Sequence, residues 1–305
     1  MAFDYGDVRY PRSKPAPVVF CIDVTGSMTI PVEKGRGKSR MELANDLVES
    51  FIKYILSVRK ASEAVEVAFV LFAHGVVLET EFVRLKELSD ETFRKARILD
   101  CWRGEKVWDM KKIQVAIENT QYTNSGETPR FFSCYDKGTK IDSAILACYD
   151  KIQRHTEKMI ERNSAGEQRA LFYTPHFVLI TDGDPDDDHT GRQRDDEKTH
   201  QKAMDMIYDH SYTGENGMNL IVPITVGVFG QEIGQGAIKR MDEYGENFKK
   251  GYFRVRDEKA TLDFQKAAEF LCKTVVMSIN LAWSGPEPEE NVDPRGKRVE
   301  EIFRE

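Results

Sequence analysis

Short apolar runs alternate with amphipathic segments along most of this chain. Residues 18–22 are a continuous apolar run and residues 176–181 have an apolar centre of strand length, whereas residues 41–55 repeat apolar side chains at helical spacing. This alternation is typical of a parallel sheet covered by helices on both faces. We therefore predict a doubly wound α/β fold of the Rossmann-like type, with a mostly parallel six-stranded sheet that includes one antiparallel edge strand and has helices on both faces.

The same patterns place the individual elements. Strands are predicted at 18–22, 65–72, 76–83, 176–181, 220–228 and 251–255, and helices at 41–55, 141–152, 198–210, 233–244 and 260–281. The second and third strands lie close enough to form an antiparallel hairpin at the sheet edge. Ser39 and Glu42 have the spacing of a helix capping box. Pro223 lacks the N–H that a central strand donates, so we expect its strand to start at Ile224.

The chain length of 305 residues suits one large domain with additions, because single cores stop growing at roughly 250–300 residues. We predict an N-terminal extension over 1–16, the domain over 17–282, and a flexible C-terminal extension over 283–305, where proline and charge are abundant. Residues 86–137 interrupt the alternation and are predicted to be an insertion with short helices near 89–99 and 107–119.

Charge and cysteine content exclude several classes of partner. A formal net charge of −7 disfavours nucleic-acid binding through a broad basic surface. No apolar run reaches the roughly 20 residues of a membrane span, and the N-terminal segment lacks the pattern of a signal peptide. The five cysteines are scattered and contain no C-x-x-C pair. We expect reduced thiols, a cytoplasmic location, and no nucleic-acid or membrane partner.

Three polar motifs follow predicted strands or open a predicted helix. They are D-V-T-G-S at 23–27, G-T-K-I-D-S-A-I at 138–145 and V-L-I-T-D-G at 178–183. Together and in this order they resemble the metal-ion-dependent adhesion site of von Willebrand factor A (VWA) domains. The resemblance includes V-P-I-T-V-G-V at 222–228 and covers most of 17–282. The chain looks similar to intracellular bacterial VWA proteins of the tellurite-resistance and stress-associated type.

The resemblance implies a divalent cation, Mg²⁺ or alternatively Mn²⁺ or Ca²⁺, held by Asp23, Thr25, Ser27, Thr139 and Asp182. Thr25 replaces the serine more often seen in the family but keeps the hydroxyl oxygen. Oxygen ligands suit magnesium, and the ends of neighbouring parallel strands open a crevice where strand order reverses. Neutral hydroxyl ligands leave a cation electrophilic. The family resemblance implies that an Asp or Glu of a partner protein completes the shell, in a binding role without catalysis.

Each motif alone has a simpler interpretation. Thr139 and Asp142 have the spacing of an ordinary helix cap, and the two aspartates that follow strands could face solvent. The acidic run from Asp182 to Asp188 does not fit an EF-hand calcium loop, because Asp187 replaces the required glycine and Gln193 the required glutamate. The combination of three motifs favours the metal site.

Three other functions stay open. G-R-G-K-S at 35–39 resembles a P-loop of a nucleotide hydrolase, although Val32 stands where that motif needs glycine. A haloacid-dehalogenase-like phosphatase would need a second aspartate where Thr25 stands. A scaffold could bind its partner through the 86–137 insertion and use the metal only structurally. We expect a non-enzymatic adaptor.

Overall fold

The computed structural model describes residues 14–33, 36–73, 75–88, 97–98, 139–162, 168–182, 197–212, 221–228, 241, 244, 251–255 and 260–281. Its helices are α1 (Arg40–Ser57), α2 (Arg59–Ala64), α3 (Ile141–Glu157), α4 (Glu197–Tyr212) and α5 (Ala260–Leu281). Two 3-10 turns span Gly26–Thr29 and Leu85–Glu87. The domain boundaries proposed from the sequence stay a prediction.

The strands of the central sheet alternate in the chain with these helices. They are β1 (Ala16–Asp23), β4 (Val65–Phe72), β5 (Val76–Glu79), β6 (Val83–Arg84), β7 (Arg97–Ile98), β10 (His176–Thr181), β11 (Val222–Val228) and β12 (Tyr252–Val255). Two separate hairpins consist of β2 (Pro31–Glu33) with β3 (Arg36–Ser39), and of β8 (Ile160–Arg162) with β9 (Gln168–Ala170).

The order across the sheet is β12-β11-β10-β1-β4-β5-β7, and β6 also pairs with β4. The strands from β12 to β4 are parallel, whereas β5, β6 and β7 run antiparallel to their neighbours. Counted along the chain, the six main strands lie in the order 3-2-1-4-5-6 from β5 to β12, which is that of a doubly wound sheet. The predicted fold class is confirmed.

Strand β1 is buried on both faces, and its side chains alternate between two cores. Val18, Phe20 and Ile22 belong to a core with residues of α1 and α5. Val19 and Cys21 face the opposite side, where residues of α3 and α4 cover them. A continuous apolar strand is therefore explained by helices on both faces. No helix in the described ranges is long and apolar enough to cross a membrane.

Helix α1 begins where the sequence predicts. Ser39 accepts a hydrogen bond from the Glu42 N–H, and the Glu42 carboxylate accepts one from the Ser39 N–H, so the predicted capping box is present. These two bonds satisfy N–H groups that have no partner within the helix. The box fixes the residue after Ser39, Arg40, at the first helical position.

The strand predicted at 220–228 is confirmed as β11, and only the start expected at Ile224 was wrong, because β11 begins at Val222. The Val222 N–H donates to the Pro175 carbonyl on the β10 side, and the Thr225 N–H donates to the Gly251 carbonyl on the β12 side. Alternation places the missing N–H of Pro223 on the β12 side, ahead of the first β12 pair at Thr225 and Tyr252. Proline therefore interrupts no ladder bond.

Two other predictions need correction at the antiparallel edge. The strand predicted at 76–83 is divided into β5 and β6. Between them Thr80 bonds Phe69 through both its N–H and its hydroxyl, and the pairing with β4 changes from Val70 with Glu79 to Val67 with Val83. Within the helix predicted near 89–99, Arg97–Ile98 instead form β7 on the open edge of β5. The rest of that helix and the helix predicted at 107–119 lie outside the described residues. Met241 and Tyr244 are helical, as predicted for 233–244.

Candidate metal centre

The candidate centre lies at the carboxyl ends of β1 and β10, which are adjacent and parallel. Asp23 is the last residue of β1, and Asp182 follows the last residue of β10. Both carboxylates are fully buried. Strand order reverses between these two strands, so loops from distant parts of the chain meet at this edge.

The first predicted loop forms a compact group of oxygens. Asp23 Oδ1 accepts hydrogen bonds from the Thr25 N–H at 2.9 Å and the Thr25 hydroxyl at 2.7 Å. The hydroxyl oxygens of Thr25 and Ser27 are 2.9 Å apart. Magnesium binds oxygen at about 2.0–2.1 Å with octahedral geometry, so adjacent ligands lie about 2.9 Å from one another. The spacing and chemistry of these oxygens fit a small divalent cation.

The second oxygen of Asp23 is also occupied. Asp23 Oδ2 accepts a hydrogen bond from the Thr181 hydroxyl at 2.6 Å. Burial, reinforced by the charge of nearby Asp182, raises the pKa of Asp23 to about 7, although the bonds from Thr181 and Thr25 oppose this shift. A bound cation would supply the opposite charge that stabilises the ionised Asp23 carboxylate.

The segment of Thr139 reaches the same sheet edge through β4. The Lys140 N–H donates to the Ala73 carbonyl, and the Val24 N–H of the first loop donates to the preceding carbonyl, that of Phe72. Thr139 itself is buried. The residue before α3 is Lys140, so Thr139 is not the helix cap that its spacing alone suggested.

Asp142 is not the partner of a Thr139 helix cap, which was the simpler interpretation of the sequence. It is fully buried and accepts hydrogen bonds on one oxygen from the Tyr244 hydroxyl at 2.5 Å and from His200 Nδ1 at 3.0 Å. Tyr244 belongs to a later segment, and His200 lies on α4. These contacts fix the start of α3, and with it the segment that carries Thr139.

Arg40 is the residue of this site that the sequence analysis missed. Its Nη1 donates to Asp182 Oδ2 at 2.7 Å and to the Ser27 carbonyl at 3.0 Å. The Arg40 side chain is 2% exposed. A signal was available, because Arg40 lies four and eight residues before Ala44 and Val48 and so continues the apolar stripe of α1. A charged residue on that stripe needs a buried partner.

The structure thus brings the five predicted ligands to one sheet edge, but only some of them contact one another directly. Asp23, Thr25 and Ser27 are linked by side-chain contacts, and Asp182 is linked to the Ser27 backbone through Arg40. Thr139 shares the edge without a direct bond to them. Among the residues that the structure describes, no group of three or more His, Cys, Asp or Glu could hold a metal. A site here would depend on hydroxyl oxygens.

Comparisons with known proteins bear on the fold. No family model matches the chain, and the search of curated proteins gives no match. Among solved structures, the pilus adhesin SpaC from Lactobacillus rhamnosus GG is 12% identical, with a TM-score of 0.50, over 86% of this chain and 30% of SpaC. A von Willebrand factor type A structure from Catenulispora acidiphila is 12% identical, with a TM-score of 0.47, over 86% of this chain and 43% of its own.

A third structure is that of proximal thread matrix protein 1 from the mussel byssus, with a zinc-occupied MIDAS motif. It is 11% identical, with a TM-score of 0.39, over 85% of this chain and 48% of its own. This chain therefore spans less than half the length of each of the three structures. Identities this low concern the fold alone. That fold, with its 3-2-1-4-5-6 strand order and a helical layer on each face, is of the VWA/Rossmann-like type.

Proposed function

We propose that this protein is a non-enzymatic adaptor that binds a partner protein through a divalent cation. The cation would be held by Asp23, Thr25, Ser27, Thr139 and Asp182 in the manner of a metal-ion-dependent adhesion site, with Mg²⁺ as the physiological ion. The observation that carries this proposal is the close grouping of the Asp23, Thr25 and Ser27 oxygens, with 2.7 Å and 2.9 Å between neighbours, at the point where strand order reverses.

The partner group that fits such a site is a carboxylate. Three of the five proposed ligands are neutral hydroxyls, so they neutralise none of the charge of the cation. Asp182 is engaged by Arg40 and Asp23 by two threonines, which limits the negative charge available to the ion. An Asp or Glu of a partner protein would supply the missing charge and an oxygen ligand.

The local geometry favours this role over a P-loop hydrolase. In a P-loop, the segment before the helix wraps around phosphates and its Ser or Thr hydroxyl binds magnesium. Here Arg36–Ser39 form an extended strand paired with β2, and the Ser39 hydroxyl caps α1. The Lys38 ammonium forms an ion pair with Asp46. The Ser39 hydroxyl and the Lys38 ammonium thus make structural contacts within the protein, where a P-loop would use them to bind magnesium and phosphate.

The finer placement rests on the sequence. We propose a cytoplasmic protein related to the intracellular bacterial VWA proteins of stress response or defence. Of the five cysteines, Cys21, Cys148 and Cys272 are buried free thiols, while Cys101 and Cys134 lie outside the described residues. The scaffold alternative, which binds through residues 86–137, is distinguished by Thr139→Ala, which would leave partner capture intact if the metal were only structural.

The first experiment measures Mn²⁺ binding to purified protein by electron paramagnetic resonance of free Mn²⁺. We expect one site per wild-type chain, competed by Mg²⁺, and loss of that site in Asp23→Ala. Asp150→Ala, which removes an exposed carboxylate paired with Arg154 on α3, is the matched control and should bind like wild type. Equal Mn²⁺ binding by wild type and Asp23→Ala would refute the proposed centre.

The second experiment tests what the metal does. Partner capture from cell extract with Mg²⁺ is compared with capture in EDTA, using wild type, Asp23→Ala and Asp150→Ala. We expect proteins that wild type and Asp150→Ala retain only with Mg²⁺, and that Asp23→Ala does not retain. If the same proteins were captured under every condition and by every variant, partner binding would not depend on the metal. Turnover of ATP or a phosphate ester by the pure protein would favour a hydrolase or phosphatase instead.

A further inference from the structure

The Arg40 guanidinium lies inside the proposed metal centre. One nitrogen, Nη1, contacts both the Asp182 carboxylate and the Ser27 carbonyl, so this single group joins the first and third metal loops. Both side chains of the ion pair are almost fully buried, at 2% and 0% exposure. The capping box at Ser39 and the Arg40 N–H bond to the Ile30 carbonyl fix the backbone from which the guanidinium extends.

Three side chains in the described part of the chain carry charge in this buried space. When ionised, Asp23 and Asp182 contribute two negative charges, and Arg40, which stays protonated in proteins, contributes one positive charge. These three described side chains therefore sum to one negative charge, and a divalent cation changes their sum to one positive charge. An uncompensated buried charge is costly, whereas one added carboxylate brings the sum to zero.

We propose that Arg40 is a resident counter-cation that weakens binding of the metal alone and couples metal binding to the arrival of an external carboxylate. This inference rests on the proposed function, because it requires the cation. Without the guanidinium, the two aspartates would neutralise a divalent ion by themselves, and an external carboxylate would then make the site negative. With the guanidinium present, the bound metal raises the affinity of the site for the carboxylate, and the bound carboxylate raises its affinity for the metal. Thermodynamic linkage requires the two factors to be equal.

Mn²⁺ titration followed by electron paramagnetic resonance tests this, with acetate as the carboxylate probe and chloride at equal ionic strength as the reference. For wild type, acetate should tighten Mn²⁺ binding. For Arg40→Met, Mn²⁺ should bind roughly tenfold or more tightly without acetate, because a like charge close to the ion has been removed from a site of low dielectric. The acetate effect should disappear in that variant.

Two further variants separate charge from structure. Arg40→Gln removes the charge but keeps an amide donor for Asp182, so it should bind Mn²⁺ tightly like Arg40→Met even if the latter folds poorly. Arg40→Lys keeps the charge and should behave like wild type. Arg84→Met breaks a partly buried pair with Glu66 on β4 and is the matched control, with wild-type binding expected. Circular dichroism verifies folding of each variant.

The outcomes are distinct. Suppose that the wild-type protein binds Mn²⁺ and that Arg40→Met and Arg40→Gln both bind it with unchanged or weaker affinity and an unchanged acetate effect. This result would overturn the role of Arg40 but would leave the proposed metal centre supported. Absence of Mn²⁺ binding in wild type would overturn the proposed function and this inference together. Tighter binding in both neutral variants but not in Arg40→Lys supports the counter-cation.

Discussion

Arg40 and Asp182 form a buried ion pair, with 2.7 Å between Nη1 and Oδ2, across 142 residues of sequence. The pair links the start of α1 to the end of β10, two elements that lie far apart in the chain. Its geometry depends on the capping box, which places Arg40 on the first turn of the helix. A charge in this position is stable only while its partner remains, so the pair connects the integrity of the fold with the candidate site.

Asp182→Leu should destabilise the metal-free protein by about 3–5 kcal/mol, because it leaves the Arg40 guanidinium buried without the carboxylate that accepts its hydrogen bond. The free energy of unfolding is measured by urea denaturation in EDTA. Asp150→Leu, which breaks an exposed pair with Arg154, should change it by no more than about 1 kcal/mol. If the two substitutions lowered the free energy of unfolding equally, the buried pair would contribute no more to stability than the exposed pair.

The local parts of the centre were predictable from the sequence because they need no knowledge of the fold. Asp23, Thr25 and Ser27 lie within five residues, and their spacing after an apolar strand grouped them once the two later motifs were found in the same order. Placing Asp182 beside them required the order of β1 and β10, which the resemblance supplied. Arg40 was missed because helical periodicity identifies a stripe but not the distant partner that makes a charge acceptable on it.

Non-local register explains the other errors. Proline propensity predicted that a central strand should not include Pro223, but the rule applies only where the missing N–H has an acceptor opposite it. The neighbouring strand begins too late to offer one, and a property of β12 thus decided the structure of β11. Likewise, the pairing of Arg97–Ile98 with β5 is fixed by an available strand edge rather than by local helix preference.

Gly251→Ala should destabilise the protein by about 1–3 kcal/mol through overpacking. A Cβ at this position would lie 2.3 Å from the Pro223 carbonyl oxygen and 3.2 Å from the Ile224 Cα, and both are backbone atoms that cannot rotate away. Gly75→Ala is the matched control, because a Cβ there would meet nothing within 4 Å. Thermal and urea unfolding should separate the two variants, and similar stabilities would contradict the close approach of β11 and Gly251.

His176 should make the protein less stable in acid. Burial lowers its pKa to about 4, from an ordinary value of 6.5, although a backbone interaction with Thr174 opposes the shift. Between these values the unfolded chain takes up a proton that the folded chain does not. The contribution of His176 to stability is therefore complete above about pH 6.5 and decreases as the pH falls towards about 4.

The comparison of wild type with His176→Leu isolates this effect. Between about pH 7.5 and about pH 5, the free energy of unfolding of wild type should fall by about 2 kcal/mol relative to the variant. Asp23, whose raised pKa acts in the opposite sense over a similar range, is present in both proteins and cancels in the difference. Parallel stability profiles for the two proteins would show that His176 titrates normally or is already charged in the fold.

Thr25→Val tests the metal centre at its central oxygen. The Thr25 hydroxyl donates to Asp23 Oδ1 and lies 2.9 Å from the Ser27 hydroxyl, so its loss removes a proposed ligand while a methyl group of similar size fills the space. We expect Mn²⁺ affinity to fall roughly tenfold or more, since the site would depend on few other protein ligands. In EDTA the variant should lose only about 1 kcal/mol of stability, the usual contribution of one hydrogen bond.

Thr25→Ser is the matched control for that substitution, because it keeps the oxygen and removes only the methyl group. It should retain Mn²⁺ binding within a few-fold of wild type. If only Thr25→Val has a lower Mn²⁺ affinity, the effect is due to the loss of the hydroxyl. Equal binding by the serine and valine variants would mean that the hydroxyl is not a ligand. The short contacts of Thr25 with Asp23 and Ser27 would then be a turn that shapes the end of β1, with the cation, if any, held elsewhere.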